Sequence, residues 1–587
     1  MNEVEPASQA TPSRLPPPTY LQSLVASVGL LALSLLCLPG TFGITLIAFI
    51  WTHLNGTSLK SSTPLPGVTQ KTVLVTGARS NKALALMRAL KRAGHRVIAA
   101  EEREWGVLAC ARFSRAVDKY FILPDAPPDD HVQTTFNPYI DVIKYIVVTE
   151  RVDAWIPCSS VHGTILDSEA AREIKEGGWG GSGKGRSCDV FIQHPDIAGA
   201  LHWKDRFTDL LVQLGFPVPE GRCITNIAQA LDFLHAPDRA SHAYILKCLT
   251  LDDLARDDFT LLPLGSREET LAHLKKMPTP MSNYIPFMLQ RFLKGPEYCC
   301  HVAARNGEIT AFVACRSSEM LMRYVDVNTL DAKEAKMGKM IEQWVADFLE
   351  RWKVKLVGKG PRSYERELTG HFSFDFIWEE EEEVLYAIEC NVRAHTAICL
   401  FSTATPELAE SYLVTTSPPF SRPPPQSVPV SWITHALPLA VLHTFLRLPL
   451  VRMIPPHIWG SVHPGLTHLA TELLDNHDPT ASPRPSDTPL SILTRFLIGT
   501  FLPEFILNIY RGVVAQTRTL DLEENLVRGT DAGFGRGERD AYWDWTDPVP
   551  FFVLAHVTWV WLWVRLVVGR GGKWRRVNVS TERIFEC

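Results

Sequence analysis

Residues 368–396 read LTGHFSFDFIWEEEEEVLYAIECNVRAHT. Phe372, Phe374 and Phe376 alternate with Ser373, Asp375 and Ile377, and after five glutamates comes Val384-Leu-Tyr-Ala-Ile388. Two β-rich runs joined by a charged segment predict an antiparallel hairpin with a solvated tip. Glu389 and Asn391 are two residues apart, so on a strand they share a face. Asp375 on the partner strand can complete a compact set of oxygen ligands, the kind Mg²⁺ takes. Arg393 follows in the same alternation and can hold a phosphoryl group bidentately. The competing expectation is that Asp375 and Glu389 simply end strands in solvent. The remainder of the chain has to decide.

Upstream, KTVLVTGARSNKALALMRALKRAGHRVIAAE (residues 71–101) predicts a buried strand over Thr72–Thr76, an amphipathic helix over Lys82–Ala93 and a second strand over Val97–Ala100. That is a βαβ opening. Gly77 follows the first strand, but no further glycine follows in Ala78-Arg-Ser-Asn-Lys82, so the dinucleotide fingerprint is absent and a nicotinamide cofactor is not expected. A helix over Tyr139–Glu150 and a strand over Ala154–Cys158 extend the same open sheet. Gly177–Gly185 has the composition of a phosphate loop without its Gly-Lys-Ser/Thr ending, and reads as an insertion. A second α/β unit begins near Pro195. It holds a helix over Leu201–Leu214 carrying Lys204, a strand Tyr244–Lys247 ending on its lysine, and a strand from Phe287 that breaks at Gly295. Its partner strand runs over Tyr298–Ala304. Met337, Met340, Ile341, Trp344, Val345, Phe348 and Leu349 then recur at helical spacing.

The ends have a different texture. No Lys, Arg, Asp or Glu occurs from Leu15 to Leu59, with Pro39-Gly40 interrupting the apolar run. A charge-free run of that length is a transmembrane candidate, with a kinked span, a re-entrant hairpin and an arm packed on the body as its three forms. Membrane association through residues 21–54 is expected, with the catalytic domains on the cytosolic side by the positive-inside rule. Ser417–Pro429 is a polyproline linker. The apolar segments Trp432–Leu450, Leu490–Ile509 and Val549–Val568 read as interfacial helices or a helical cap. The net charge of −5 gives no case for nucleic acid. The twelve cysteines show no CxxC pair, as in a reducing compartment.

The order of elements resembles the ATP-grasp ligase superfamily: lysine, lysine at a strand end, Gln290-Arg-Phe-Leu-Lys-Gly295-Pro-Glu297, then Asp375 and Glu389-Cys-Asn391-Val-Arg393. The resemblance implies an open α/β domain (71–195) ahead of a two-lobed α+β grasp domain (196–405). The flanks are a disordered start with a hydrophobic arm and linker (1–70) and a mainly helical carboxy-terminal extension (406–587). It further implies ATP with Mg²⁺ (Mn²⁺ as a substitute). Lys204 and Lys247 would contact phosphates; Gln290, Arg291 and Leu293 would form the adenine hinge through the backbone after Gln290. Glu297 would accept from ribose, and Asp375, Glu389 and Asn391 would hold the metal. Two departures stand out: valine between Asn391 and Arg393, where proline is common, and CLTLDDLARDDFTLLP after Lys247 in place of a glycine-rich flap, with Arg256 a candidate ligand in it.

A narrower resemblance lies in KTVLVTGARSNKALAL, FSRAVDKY, YILKCLTLDD, CRSSEM, LTGHFSFDF, IECNVRAH and WDWTDPVPFFVLAHV. These segments are similar to the ATP-grasp ligases of mycosporine biosynthesis, the mycosporine-glycine synthase type. This implies that a cyclohexenone, 4-deoxygadusol, is phosphorylated on its enol oxygen and then joined to an amino acid. Arg393, and Lys247 with it, would act on the transferring phosphoryl group; Arg316, Ser317 and His395 would meet the ring or the amino-acid carboxylate. A structural ion pair is the competing reading for Arg316, and His371 reads as a packed histidine. A carboxylate-amine ligase working through an acyl phosphate, and a nucleotide-binding scaffold without turnover, stand as the other readings. A homo-oligomer is compatible with all three.

Overall fold

The computed structural model describes residues 20–55, 59, 69–126, 137–159, 161–176, 187–239, 242–249, 260–277, 279–317, 323–356, 368–403, 406–425, 427–431, 539–558, 560–561 and 564–565. The glycine-rich insertion, Arg256, Ser318 and the apolar segments Trp432–Leu450 and Leu490–Ile509 lie outside them. The chain divides into two units. One comprises Met1–Ile47, Ile433–Gly535 and Phe552–Cys587; the other comprises Ala48–Trp432 and Arg536–Phe551.

The charge-free arm forms one helix, α1 (Tyr20–Leu54), which continues through Pro39. Proline forfeits one backbone hydrogen bond in a helix interior, yet here it does not end the helix. The re-entrant hairpin expected as one form of the arm is therefore excluded. Among the described residues no helix is long and apolar enough to cross a membrane, so the transmembrane reading gains no support. Within the first unit, Thr41 Oγ1 lies 2.6 Å from His556 Nε2 and the Phe42 ring meets Phe552 edge-on at 6.0 Å.

In the larger unit, β1 (Thr72–Thr76) buries Val73, Leu74 and Val75 completely. A strand buried on both faces reads as a continuous apolar run and belongs inside a parallel sheet. Ser80 Oγ accepts from the Ala83 amide and starts α2 (Asn81–Arg92). There follow β2 (Arg96–Glu102), β3 (Lys119–Leu123), α3 (Pro138–Thr149), β4 (Ala154–Pro157), α4 (Val161–Glu176) and β5 (Asp189–Val190). The five strands pair in parallel in the order β3-β2-β1-β4-β5, the expected open sheet. Gly77 has φ +77° at the end of β1, and a Cβ there would fall 2.3 Å from the Cys158 carbonyl oxygen, so only glycine fits.

The helix expected over Leu201–Leu214 is two helices, α5 (Pro195–His202) and α6 (Lys204–Leu214). Trp203, with φ −83° and ψ 124°, is extended and breaks them, which puts Lys204 at the first turn of α6. A small antiparallel sheet follows in the order β6-β8-β7, from β6 (Gly221–Ile224), β7 (Tyr244–Cys248) and β8 (Phe287–Arg291). It packs on α7 (Ile227–Leu234) and α8 (Arg267–Lys275) through Phe233, Leu246, Leu274 and Leu289.

A four-stranded antiparallel sheet completes the centre. It has the order β10-β9-β12-β13, from β9 (Glu297–Arg305), β10 (Glu308–Arg316), β12 (Gly370–Glu379) and β13 (Val384–Asn391). A short β11 (Arg323–Tyr324) precedes α9 (Ala332–Leu356). The sheet turns Phe372, Phe374 and Phe376 onto α9, where Trp344 meets Phe376 at 5.0 Å and Phe348 meets Phe374 at 5.1 Å, both edge-on. Each such ring pair adds roughly 0.5–1.5 kcal/mol beyond its buried area.

Past α10 (Glu407–Leu413) the proline-rich stretch runs along this body. Ser421 exchanges backbone hydrogen bonds with Thr310 and Phe312. Then β14 (Val430–Ser431) pairs with β11 and with β15 (Arg539–Asp540). Beyond β15, Asp547 accepts from Arg88 Nε (2.9 Å), Ser114 Oγ (2.6 Å) and the Arg115 amide (2.9 Å), which fastens the segment onto α2. The fold class expected from the sequence, an open parallel sheet followed by antiparallel lobes, is the one observed. The helical character expected of the carboxy-terminal extension falls mostly outside the described residues.

Candidate active site

The hairpin of β12 and β13 forms as expected, with Glu380–Glu383 exposed at its tip. Asp375 lies directly opposite Glu389, and Ser373 opposite Asn391. Between Asp375 and Phe376 the register shifts by one residue: Phe376 pairs with Ala387, so Ile388 is the extra residue of a β-bulge. The bulge returns Cys390 and Val392 to the aromatic core and brings Glu389 and Asn391 onto the face of Asp375.

The three candidate ligands touch. Asn391 Nδ2 donates to Glu389 Oε1 at 2.9 Å and to Asp375 Oδ2 at 3.3 Å. The amide thus lies against both carboxylates, and rotated by half a turn it would present its oxygen beside theirs. The Lys204 ammonium, delivered by the start of α6, lies 2.7 Å from Glu389 Oε2. Burial raises the pKa of Asp375 well above the carboxylate range, and repulsion from Glu389 and Glu297 adds to it, against Arg393 and Lys204. Carboxylates crowded to the point of mutual repulsion are a donor set suited to a cation. Among the described residues no three His, Cys, Asp or Glu side chains gather as a self-sufficient metal centre. Two carboxylates and one amide oxygen fit Mg²⁺ only in company with other oxygen donors, as a triphosphate supplies.

From the small sheet, Lys247 Nζ donates to Gln290 Oε1 at 2.6 Å across the β7–β8 pair. Burial lowers the Lys247 pKa to about 8; Lys204 lowers it further, and Glu389, Glu297 and Asp375 oppose. Lys247 therefore shares one electrostatic neighbourhood with Lys204, Glu297, Asp375 and Glu389. Arg291 makes a two-pronged ion pair with Glu382 of the hairpin tip at 2.7 and 2.9 Å, which leaves its backbone as the part able to meet a base. Leu293 is buried. Gly295 has φ +148°, and a Cβ there would fall 1.9 Å from the Trp378 carbonyl oxygen, so the turn before Glu297 has to be glycine.

The remaining candidates divide. Ser317 meets the ribose candidate: its Oγ donates to Glu297 Oε1 at 2.8 Å and its amide to the Glu297 carbonyl at 2.8 Å. Arg316 pairs with buried Glu334, which also accepts from Tyr298 Oη; this is the structural ion pair that was the competing reading. The same pairing raises the Arg316 pKa, chiefly through the hydrogen bond to Glu334.

His395 Nδ1 accepts from the Ala397 amide and caps the turn Thr396–Leu400, and burial lowers its pKa to about 3. His371 is packed, as expected, with Nε2 3.1 Å from Tyr412 Oη, and burial lowers it to about 3. His301, missed in the sequence, completes that group. Its Nδ1 accepts from the His395 amide, so its Nε2 proton goes to Tyr412 Oη at 3.1 Å. Arg393 is buried beside this cluster, and its field reaches both His395 and Asp375.

No family model matches this chain, and no curated protein matches it. Solved structures do. Biotin carboxylase from Campylobacter jejuni is 13% identical at a TM-score of 0.38, with 56% of this chain and 67% of that one covered. N5-carboxyaminoimidazole ribonucleotide synthetase from Thermotoga maritima is 13% identical at 0.40, covering 61% and 79%. L-amino acid ligase from Bacillus licheniformis is 11% identical at 0.36, covering 58% and 70%. Against Rhizobium etli pyruvate carboxylase, 57% of this chain matches but only 28% of that protein's length is spanned, at 14% identity and 0.37. At these scores the likenesses carry no assignment of activity.

Proposed function

We propose that this chain is an ATP-dependent ligase of the ATP-grasp type that uses Mg²⁺. In particular, it phosphorylates the enol oxygen of a 4-deoxygadusol-like cyclohexenone and condenses the ring with an amino acid. The observation that carries the reading is the convergence of Lys204, Lys247, Gln290, Glu297, Asp375, Glu389 and Asn391 from two sheets and one helix start. Phosphoryl transfer asks for charge neutralisation and alignment, and these residues offer both. The lysines and Arg393 would balance phosphate charge, while Asp375, Glu389 and Asn391 would hold Mg²⁺, which would supply further charge neutralisation at the phosphates.

The reaction balances as follows. The enol gives up its proton to solvent, its oxygen attacks the γ-phosphorus, and ADP leaves. The amine nitrogen adds to the ring carbon bearing the new phosphate, the C–O bond breaks, phosphate departs, and the nitrogen loses a proton to give an enaminone. The choice of a cyclohexenone rests on the family-like segments, among them LTGHFSFDF and IECNVRAH. The test is incubation of the purified protein with ATP, Mg²⁺, 4-deoxygadusol and a mixture of amino acids. An ultraviolet-absorbing adduct that depends on one amino acid, formed with equimolar ADP, is expected. ADP formed only with a carboxylic acid would replace this reading by the acyl-phosphate one, and absence of ADP under every condition would overturn both.

A further inference from the structure

The turn from β1 into α2, Gly77-Ala-Arg-Ser-Asn-Lys82, takes no part in the nucleotide reading. Asn81, the first residue of α2, is fully buried, and neither its Oδ1 nor its Nδ2 meets a hydrogen-bonding partner. An amide left unmet at both ends in an interior is costly, and folded proteins ordinarily avoid it. It stands at the start of a twelve-residue helix, where the leading N–H groups and the helix dipole favour an anion.

Lys82 is buried beside it. The Lys82 ammonium helps keep His301, His371 and His395 deprotonated, and Arg393 acts on the same His395. Phe372, Phe374 and Phe376 occupy one face of the four-stranded sheet, and His371 alternates with them onto the other. The start of α2 thus lies over the second face, on the side where Arg393 and Asp375 are found.

We propose that the N-terminus of α2 seats an anionic oxygen of the acceptor, an enolate or a carboxylate. The Asn81 N–H donates to that oxygen, and its Oδ1 accepts from an adjacent hydroxyl. The inference rests on the ligase reading, in which an acceptor must present such an oxygen to the γ-phosphate. Lys82 and the helix start supply positive charge for that oxygen.

The test is calorimetric titration of the full chain with 4-deoxygadusol and, separately, with succinate, each with and without MgADP. Wild type is expected to bind one of the two probes, which distinguishes the cyclohexenone from a plain carboxylate. Asn81→Ala should weaken that probe by about tenfold or more. Asn81→Asp is nearly isosteric, and the helix start with Lys82 beside it favours the charged form; a thermal melt checks that the fold is kept, and the charge, repelling the anion, should weaken the probe by about a hundredfold. MgADP affinity should stay within about twofold in both variants, since neither alters the phosphate lysines. Unchanged probe affinity in the aspartate variant, or a wild type that binds neither probe, overturns the subsite. A wild type that binds a probe but no MgADP overturns the ligase reading instead.

Discussion

The small sheet β6-β8-β7 and the large sheet β10-β9-β12-β13 distort their ionisable groups in opposite directions. In the small sheet, burial pushes the Lys247 ammonium down to about 8. In the large one, burial and neighbouring carboxylates push Asp375 up. Each sheet therefore holds a group away from its charged form, and each lacks what the other side of a metal–triphosphate complex would bring. On the proposed reading, phosphate oxygens would answer the lysine and a divalent cation the carboxylates, so that neither sheet would work alone.

The largest effect should come from the acidic side. Asp375→Asn combined with Glu389→Gln keeps the shapes and removes the charges, and ADP release should fall by about a thousandfold or more. A steady-state assay beside a thermal melt checks this; retained turnover in a folded variant would break the division of labour between the sheets.

Next comes Lys247, where pH is the lever. Phosphate binding needs the ammonium, so MgADP affinity should fall as pH rises through about 8 and reach roughly a tenfold loss one unit above. Lys247→Arg, charged throughout, should flatten that dependence. The stability sign is opposite. Between pH 8 and 10.5 the unfolded chain holds a proton the folded one has released, so folding is favoured as pH rises across that window. Titration calorimetry at several pH values separates the two trends.

The smallest effect concerns the tie between the sheets, Arg291 to Glu382. The pair is partly exposed, so Arg291→Gln should cost under about 1 kcal/mol, less in high salt, and change MgADP affinity by no more than about twofold. Hydrogen bonds from Arg291 and Tyr386 hold Glu382 down to about 2, so its contribution is present above the ordinary carboxylate range and is lost as pH falls through about 2. A melting curve at pH 7 and pH 2.5 reads it. A loss of nucleotide binding of about tenfold or more would show that the hinge side chain, not only its backbone, meets the base.

Much of this was legible in the chain. Period-two alternation at Phe372, Phe374 and Phe376 announced β12, and the continuous apolar run of Val73–Val75 announced a buried parallel strand, because side-chain direction follows from backbone period alone. The shared face of Glu389 and Asn391 and the nearness of Asp375 on the partner strand were likewise readable from spacing, whereas Lys204 and Lys247 stood out only through the family resemblance. The face on which Glu389 emerges was not readable. Strict alternation from Leu385 and Ala387 carries Glu389 onto the aromatic core, and only the extra residue Ile388 turns it to Asp375. The pairing of Arg316 with Glu334 and the commitment of Ser317 to Glu297 were also beyond reach, for the same reason. They depend on partners far away in sequence. The sequence by itself determined which side chains and which strand periods were available; the tertiary structure decided register and partner, because both are set by what packs across the sheet.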